Sequence, residues 1–128
     1  MNAILDAHDL LWFFAGSRKL SNNALECIQN PGNTLFVSPA TLWEISIKAA
    51  LGKLTLPQPF EELFPARLEE SNILILPILV YHLHVQRRLA HHHHDPFDRL
   101  VIAQALAEDL ILISCDFEFR SYGVQLLW

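Results

Sequence analysis

The chain has 128 residues, 52% hydrophobic and 18% charged, which fits one domain over 1–128 with a sizeable core and argues against disorder. Fourteen acids against nine Lys and Arg give a formal net charge of −5, which argues against a module that binds nucleic acid through charge alone. No apolar run approaches the ~20 residues of a membrane-spanning helix, the start lacks a basic stretch, and Cys27 and Cys115 form no CxxC, so the expected setting is the cytoplasm, with free thiols and no membrane.

Ala3-Ile4-Leu5 reads as a first strand, and His8 to Ala15 as an apolar helix closed by Gly16. Ser21 can N-cap a second helix through about Gln29, before the turn Asn30-Pro31-Gly32-Asn33. Thr34 to Val37 reads as the second strand. Ser38-Pro39 then supplies a capping hydroxyl followed by proline at the first helical position, for a helix to about Leu51 that stops at Gly52. Glu61 to Glu70 reads as one helix, Ile73 to Ile78 as the third strand and Val80 to Leu89 as another helix. Asp95-Pro96 repeats the start signal for a helix to about Glu108. Leu110 to Ser114 is the fourth strand, and Val124 to Trp128 a candidate fifth at an edge. Helices between the strands rule out hairpins, so the expected class is α/β with a mostly parallel sheet of 4–5 strands. Such sheets bind ligands outside the carboxyl ends of their strands.

Four carboxylates stand out against that frame. Asp6 follows the first strand and Asp116 lies two residues past the fourth, so a parallel sheet puts both at one end; capping of the next turn accounts for either alone. Glu44 shares a narrow polar stripe with Thr41 and Lys48 on an otherwise apolar helix, and that stripe must face water, a crevice or a partner. A surface Glu44–Lys48 pair at i, i+4 is the plainer account. Asp98 has Val101, Ile102 and Ala105 at i+3, i+4 and i+7, so its face leads into the core, where a carboxylate must be paired, capped or metal-bound. Asp95 is read as the helix cap instead. Together Asp6, Glu44, Asp98 and Asp116 would make an all-oxygen site suited to Mg²⁺ or Mn²⁺, and phosphodiester cleavage uses such a site.

Ile4-Leu5-Asp6-Ala7-His8 with Leu11-Trp12 comes first in a longer series. Ser38-Pro39-Ala40-Thr41-Leu42-Trp43-Glu44-Ile45 follows, with Lys48 and Leu51-Gly52-Lys53-Leu54. Asp95-Pro96-Phe97-Asp98-Arg99 with Ile102-Ala103-Gln104-Ala105, and then Leu112-Ile113-Ser114-Cys115-Asp116, complete it. In order and spacing the series resembles the PIN domain family, specifically the VapC-type toxins of bacterial toxin–antitoxin pairs. The resemblance implies a PIN-like parallel sheet with helices on both faces. It also implies Mg²⁺- or Mn²⁺-dependent endoribonuclease activity, metal-coordinating acids at Asp6, Glu44, Asp98 and Asp116, and a supporting hydroxyl at Ser114. A homodimer and an antitoxin that blocks the pocket are implied as partners, with RNA as substrate. Ala7 stands where similar sequences often carry Thr, and Cys115 where Arg is common, which bears on substrate choice and rate more than on metal binding.

His8 is read as a helix-start residue close enough to Asp6 to support it. His91 to His94 is read as a polar loop at the pocket rim, since a zinc site spaces its ligands to converge. Trp12, Phe13 and Phe14 after Leu10 and Leu11 exceed what one helix face buries, which suggests a groove or dimer surface. Arg87, Arg88, Arg99 and Arg120 are the candidates for RNA phosphate contacts. A non-catalytic module whose pocket docks a partner's arginine, and a nuclease acting on DNA, are the competing readings.

Overall fold

The computed structural model describes residues 1–128. In chain order it contains β1 (Asn2–Leu5), α1 (Ala7–Ala15), α2 (Asn22–Gln29), β2 (Thr34–Val37) and α3 (Pro39–Ala50). There follow α4 (Phe60–Leu63), α5 (Ala66–Glu70), β3 (Ile73–Ile75), α6 (Val80–Arg88) and α7 (Pro96–Ala107). The last elements are β4 (Ile111–Ile113), a 3-10 turn (Phe117–Tyr122) and β5 (Leu126–Leu127).

The helix starts are local events. Ser38 accepts the N–H of Ala40 at 3.0 Å ahead of Pro39, and Ser21 accepts that of Ala24 at 3.1 Å. Gly16 ends α1 in the left-handed conformation at φ 63°, donating its N–H back to the Phe13 carbonyl. Two expectations are corrected. The single helix over Glu61 to Glu70 is broken into α4 and α5, because Phe64 before Pro65 is pushed to extended backbone and Pro65 has no N–H to continue the ladder. β3 stops at Ile75 rather than Ile78. Leu76 still donates to the Val37 carbonyl at 2.9 Å, but Pro77 has no donor for a further bond.

All strand pairings are parallel, in the order β3-β2-β1-β4-β5. Successive strand residues point to opposite faces and so into two separate cores. Ala3, Leu5 and Ile113 join Leu10, Phe14, Ala24, Ile45 and Leu68 on one face. Ile4 and Leu112 join Val101, Ile102 and Ala105 of α7 on the other. Helices therefore cover both faces. Trp12 and Phe13, expected to be surplus on α1, pack partly against the first core, and Trp12 meets Trp128 at 5.9 Å. The larger exposed apolar surface lies elsewhere, at Trp43 and around Ile78, Leu79, Val80 and Tyr81. No helix is long and apolar enough to cross a membrane. The chain leaves β1 toward β2 on one side and returns to β4 on the other, so a crevice opens beyond their carboxyl ends.

Candidate metal centre

Leu5 lies opposite Ile113, so the residues that follow these two strands meet at the crevice. The Ser114 hydroxyl donates to Asp6 Oδ2 at 2.9 Å, while Asp6 Oδ1 accepts the N–H of Ala7 at 2.8 Å and so caps α1. The same Ser114 oxygen accepts the Asp116 N–H at 3.1 Å. Asp116 in turn caps the 3-10 turn through the Glu118 N–H at 3.1 Å. Capping and pocket placement thus coexist in both aspartates, because a carboxylate has two oxygens and a cap uses one.

From the other side, α3 presents Glu44 and α7 presents Asp98. Ligand oxygens of Glu44, Asp95 and Asp98 lie within 4.8 Å of one another. Asp6, Glu44, Asp95, Asp98 and Asp116 all line one cavity of ≈ 400 Å³, with His8, Lys48 and His93. Glu44 and Lys48 of the polar stripe therefore face a crevice, and Thr41 and Glu44 are buried. The plainer Glu44–Lys48 pair is also present, at 2.6 Å, but inside the cavity wall.

The structure extends the reading of Asp95 and of the histidine run, and adds Asp9. Asp95 caps α7, accepting from Phe97 and Asp98 N–H groups at 2.9 and 3.1 Å, yet it also belongs to the acidic group. Its i, i+3 spacing to Asp98 was the available signal. His93 reaches Asp98 Oδ2 with Nε2 at 2.9 Å and lies against Phe119, so one member of the histidine run is part of the site. Asp9 is wholly buried on α1, and neither carboxylate oxygen has a hydrogen-bond partner. His8 lines the cavity while stacked on Trp12 at 5.6 Å.

Arg99 is corrected outright. It is 4% exposed and donates to the carbonyls of Ala90, Gln86 and Leu89 at 2.8, 3.2 and 3.3 Å. Its planar fork of N–H donors closes the carboxyl end of α6, where helical carbonyls lack partners, and cannot meet a phosphate. Arg99→Lys keeps the charge but loses the fork, and is expected to cost about 1–2 kcal/mol of stability in urea denaturation. Arg87 and Arg88 are exposed on the last turn of α6, and Arg120 covers the Phe117 ring at 5.0 Å; none lines the cavity.

Crowded acids without enough counter-charge show it in their protonation. Burial, then the charges of Asp6, Asp95 and Glu44, push the Asp98 carboxyl up to about 7, with the His93 bond pulling the other way. Burial also raises Asp6, against the Ser114 and Ala7 hydrogen bonds. The clustered donors are carboxylate oxygens, and the cavity holds five acids against one lysine. A hard divalent cation fits both facts.

Residues 3–125 match the family model described as PIN domain. Over 69 residues, 54% of this chain, the sequence is 33% identical to a protein named Ribonuclease VapC16 from Mycobacterium tuberculosis. That stretch spans 48% of the relative, about half its length. A chain in the crystal structure of VapBC2 from Rickettsia felis bound to a DNA fragment from their promoter superposes with a TM-score of 0.72 at 18% identity, covering 98% of this chain and 97% of that one. FitAcB from Neisseria gonorrhoeae gives 0.66 at 16% identity, covering 98% and 96%. A toxin–antitoxin complex from Klebsiella pneumoniae gives 0.61 at 19% identity, covering 93% and 90%. At these identities the structural likenesses concern the fold.

Proposed function

The chain belongs to the PIN domain family, and we propose that it is a VapC-type toxin, a Mg²⁺- or Mn²⁺-dependent endoribonuclease held in check by an antitoxin protein in the cytoplasm. The observation that carries this reading is the convergence of Asp6, Glu44, Asp95, Asp98 and Asp116 on one cavity at the carboxyl ends of parallel strands. When bound, the ion would lower the pKa of the attacking water and offset charge on the phosphoryl oxygens. Asp6, Asp98 and Asp116 would hold it, with Glu44 as a further ligand or as the group that orients the water. Asp95 joins them, since its carboxylate lies within 4.8 Å of those of Glu44 and Asp98. Ser114 and His93 hold Asp6 and Asp98 in place, since carboxylate ligands need partners that orient them. The expected products carry a 5′-phosphate and a 3′-hydroxyl.

The partner half of the reading is supported by the toxin–antitoxin complexes among the structural relatives. A groove of ≈ 260 Å³ beside the cavity, lined by Leu11, Trp12, Leu54 and Leu56, suits an apolar segment of an antitoxin. The exposed apolar surface at Trp43 and Ile78 to Tyr81 suits a homodimer contact.

Incubation of the purified protein with matched labelled RNA and DNA strands tests the activity. RNA is expected to be cut in Mn²⁺, left intact in EDTA, and cut again once Mn²⁺ is restored. Cleavage of DNA alone would favour the DNA nuclease, and no cleavage of either strand would favour the docking module.

A further inference from the structure

We propose that Lys48 is the substrate-phosphate contact of this site, held against Glu44 until a divalent ion takes its place among the acids. This rests on the metal-dependent nuclease reading above. Of the nine Lys and Arg in the chain, Lys48 is the one that lines the acidic cavity. The sequence puts it there, because residues four apart on a helix share a face and Glu44 and Lys48 sit one turn apart on α3.

The two ends of that pair live in different surroundings. The Glu44 side chain is 8% exposed and that of Lys48 43% exposed, with Nζ reaching in to Glu44 Oε2 at 2.6 Å. The stem is thus partly solvated while the ammonium is aimed into the acids. An exposed i, i+4 pair would contribute little and have no further consequence. Here the acceptor belongs to a group of three carboxylates within 4.8 Å. Glu44 is thus the direct partner of the ammonium, with Asp95 and Asp98 close behind it. Lys48 is the counter-cation of the metal-free cluster.

A divalent ion entering the same cluster would repel that ammonium and draw on the oxygens it uses. The four-carbon stem is flexible and partly in water, so the ammonium can leave Glu44 without dragging an apolar group through the core. A phosphodiester approaching the ion brings a negative charge within reach, and lysine meets phosphate as a point charge. No other lysine or arginine competes for this role. Arg99 is spent on carbonyls, and Arg87, Arg88 and Arg120 do not line the cavity.

The test compares wild type with Lys48→Met, which keeps an apolar stem of similar reach, and Lys48→Arg. Mn²⁺ binding is read from the electron paramagnetic resonance of the free ion. Binding of a short fluorescent RNA is read by anisotropy with Ca²⁺ in place of Mn²⁺, and a melting curve accompanies each variant. In Lys48→Met, Mn²⁺ binding is expected to be unchanged or tighter, while RNA binding weakens about tenfold. Lys48→Arg should retain most of the RNA affinity. A lysine that only props up α3 would instead weaken both affinities when replaced, and that result overturns the proposal, as does RNA binding unaltered in Lys48→Met. If the wild type binds no Mn²⁺, the metal-site reading falls and takes this proposal with it. Mn²⁺ binding that survives while RNA binding does not respond removes the lysine role alone.

Discussion

Asp98→Asn is expected to abolish Mn²⁺ binding and to lower RNA cleavage by about 10³-fold or more, roughly 4 kcal/mol of barrier. Two properties of Asp98 combine in that expectation. It is the acid whose neighbours include Glu44, Asp95 and Asp6 together, so removing its charge removes the centre of the cluster. Its carboxyl is also pushed up to about 7, so near neutral pH the metal-free protein already holds it partly protonated. Asparagine has the shape of that protonated acid, and the variant should fold well. The signs can be separated. A carboxyl raised from 3.8 to about 7 in the fold costs stability progressively as pH climbs through that window, because the unfolded chain ionises first. In EDTA at pH 8 the variant should therefore melt at or above the wild-type temperature. With Mn²⁺ added, the wild type should gain stability and the variant should not. Undiminished cleavage by a well-folded Asp98→Asn would remove Asp98 from the site.

Asp9→Asn is expected to stabilise the protein at neutral pH, by on the order of 4 kcal/mol, with the gain shrinking toward pH 4. Asp9 is 0% exposed and both its oxygens lack partners. Burial, with a lesser push from Asp6, raises its carboxyl from 3.8 to about 8. Below about pH 4 the acid is protonated in both states and carries no penalty. Between about 4 and 8 the unfolded chain gives up its proton while the folded one keeps it, so each pH unit costs about 1.4 kcal/mol of folding free energy. The amide is neutral throughout and keeps the shape, so only the titration is removed. Urea denaturation of both proteins in EDTA at pH 4.5 and pH 7.5 measures the difference. Equal differences at the two pH values would mean that Asp9 has a partner for its charge. The same arithmetic makes Asp9 a good place to stabilise the fold, since it lies behind the cavity wall and does not line the pocket.

The sequence by itself determined what is settled within a few residues along the chain. Ser38-Pro39, Asp95-Pro96 and Gly16 mark helix ends because caps and prolines act on N–H and carbonyl groups at most four positions away. Intervening helices ruled out hairpins between the strands, so a parallel sheet followed. Asp6 and Asp116 could be picked out as acids at strand ends and Asp98 as an acid facing the core, whereas Glu44 rested chiefly on the family resemblance. Pro65 was the same kind of local signal, overlooked, and it broke the helix as proline chemistry requires.

Only the tertiary structure decided which of these groups meet and which are spent. Ser114 and Asp6 are 108 residues apart in the chain and touch because β1 and β4 are neighbours. Arg99 beside Asp98 looked available for phosphate until α6 folded back and offered it unpaired carbonyls, a better-matched set of acceptors in a place no RNA can reach. Asp9 is a buried acid without hydrogen-bond partners because the fold turns its side of α1 inward. Asp95 and Lys48 line the cavity as well as making the cap and the helix pair that sequence assigned them, because a side chain's local partner uses only part of its hydrogen-bonding capacity. What fills the remainder depends on atoms brought close by the fold, and neither composition nor periodicity carries that distance.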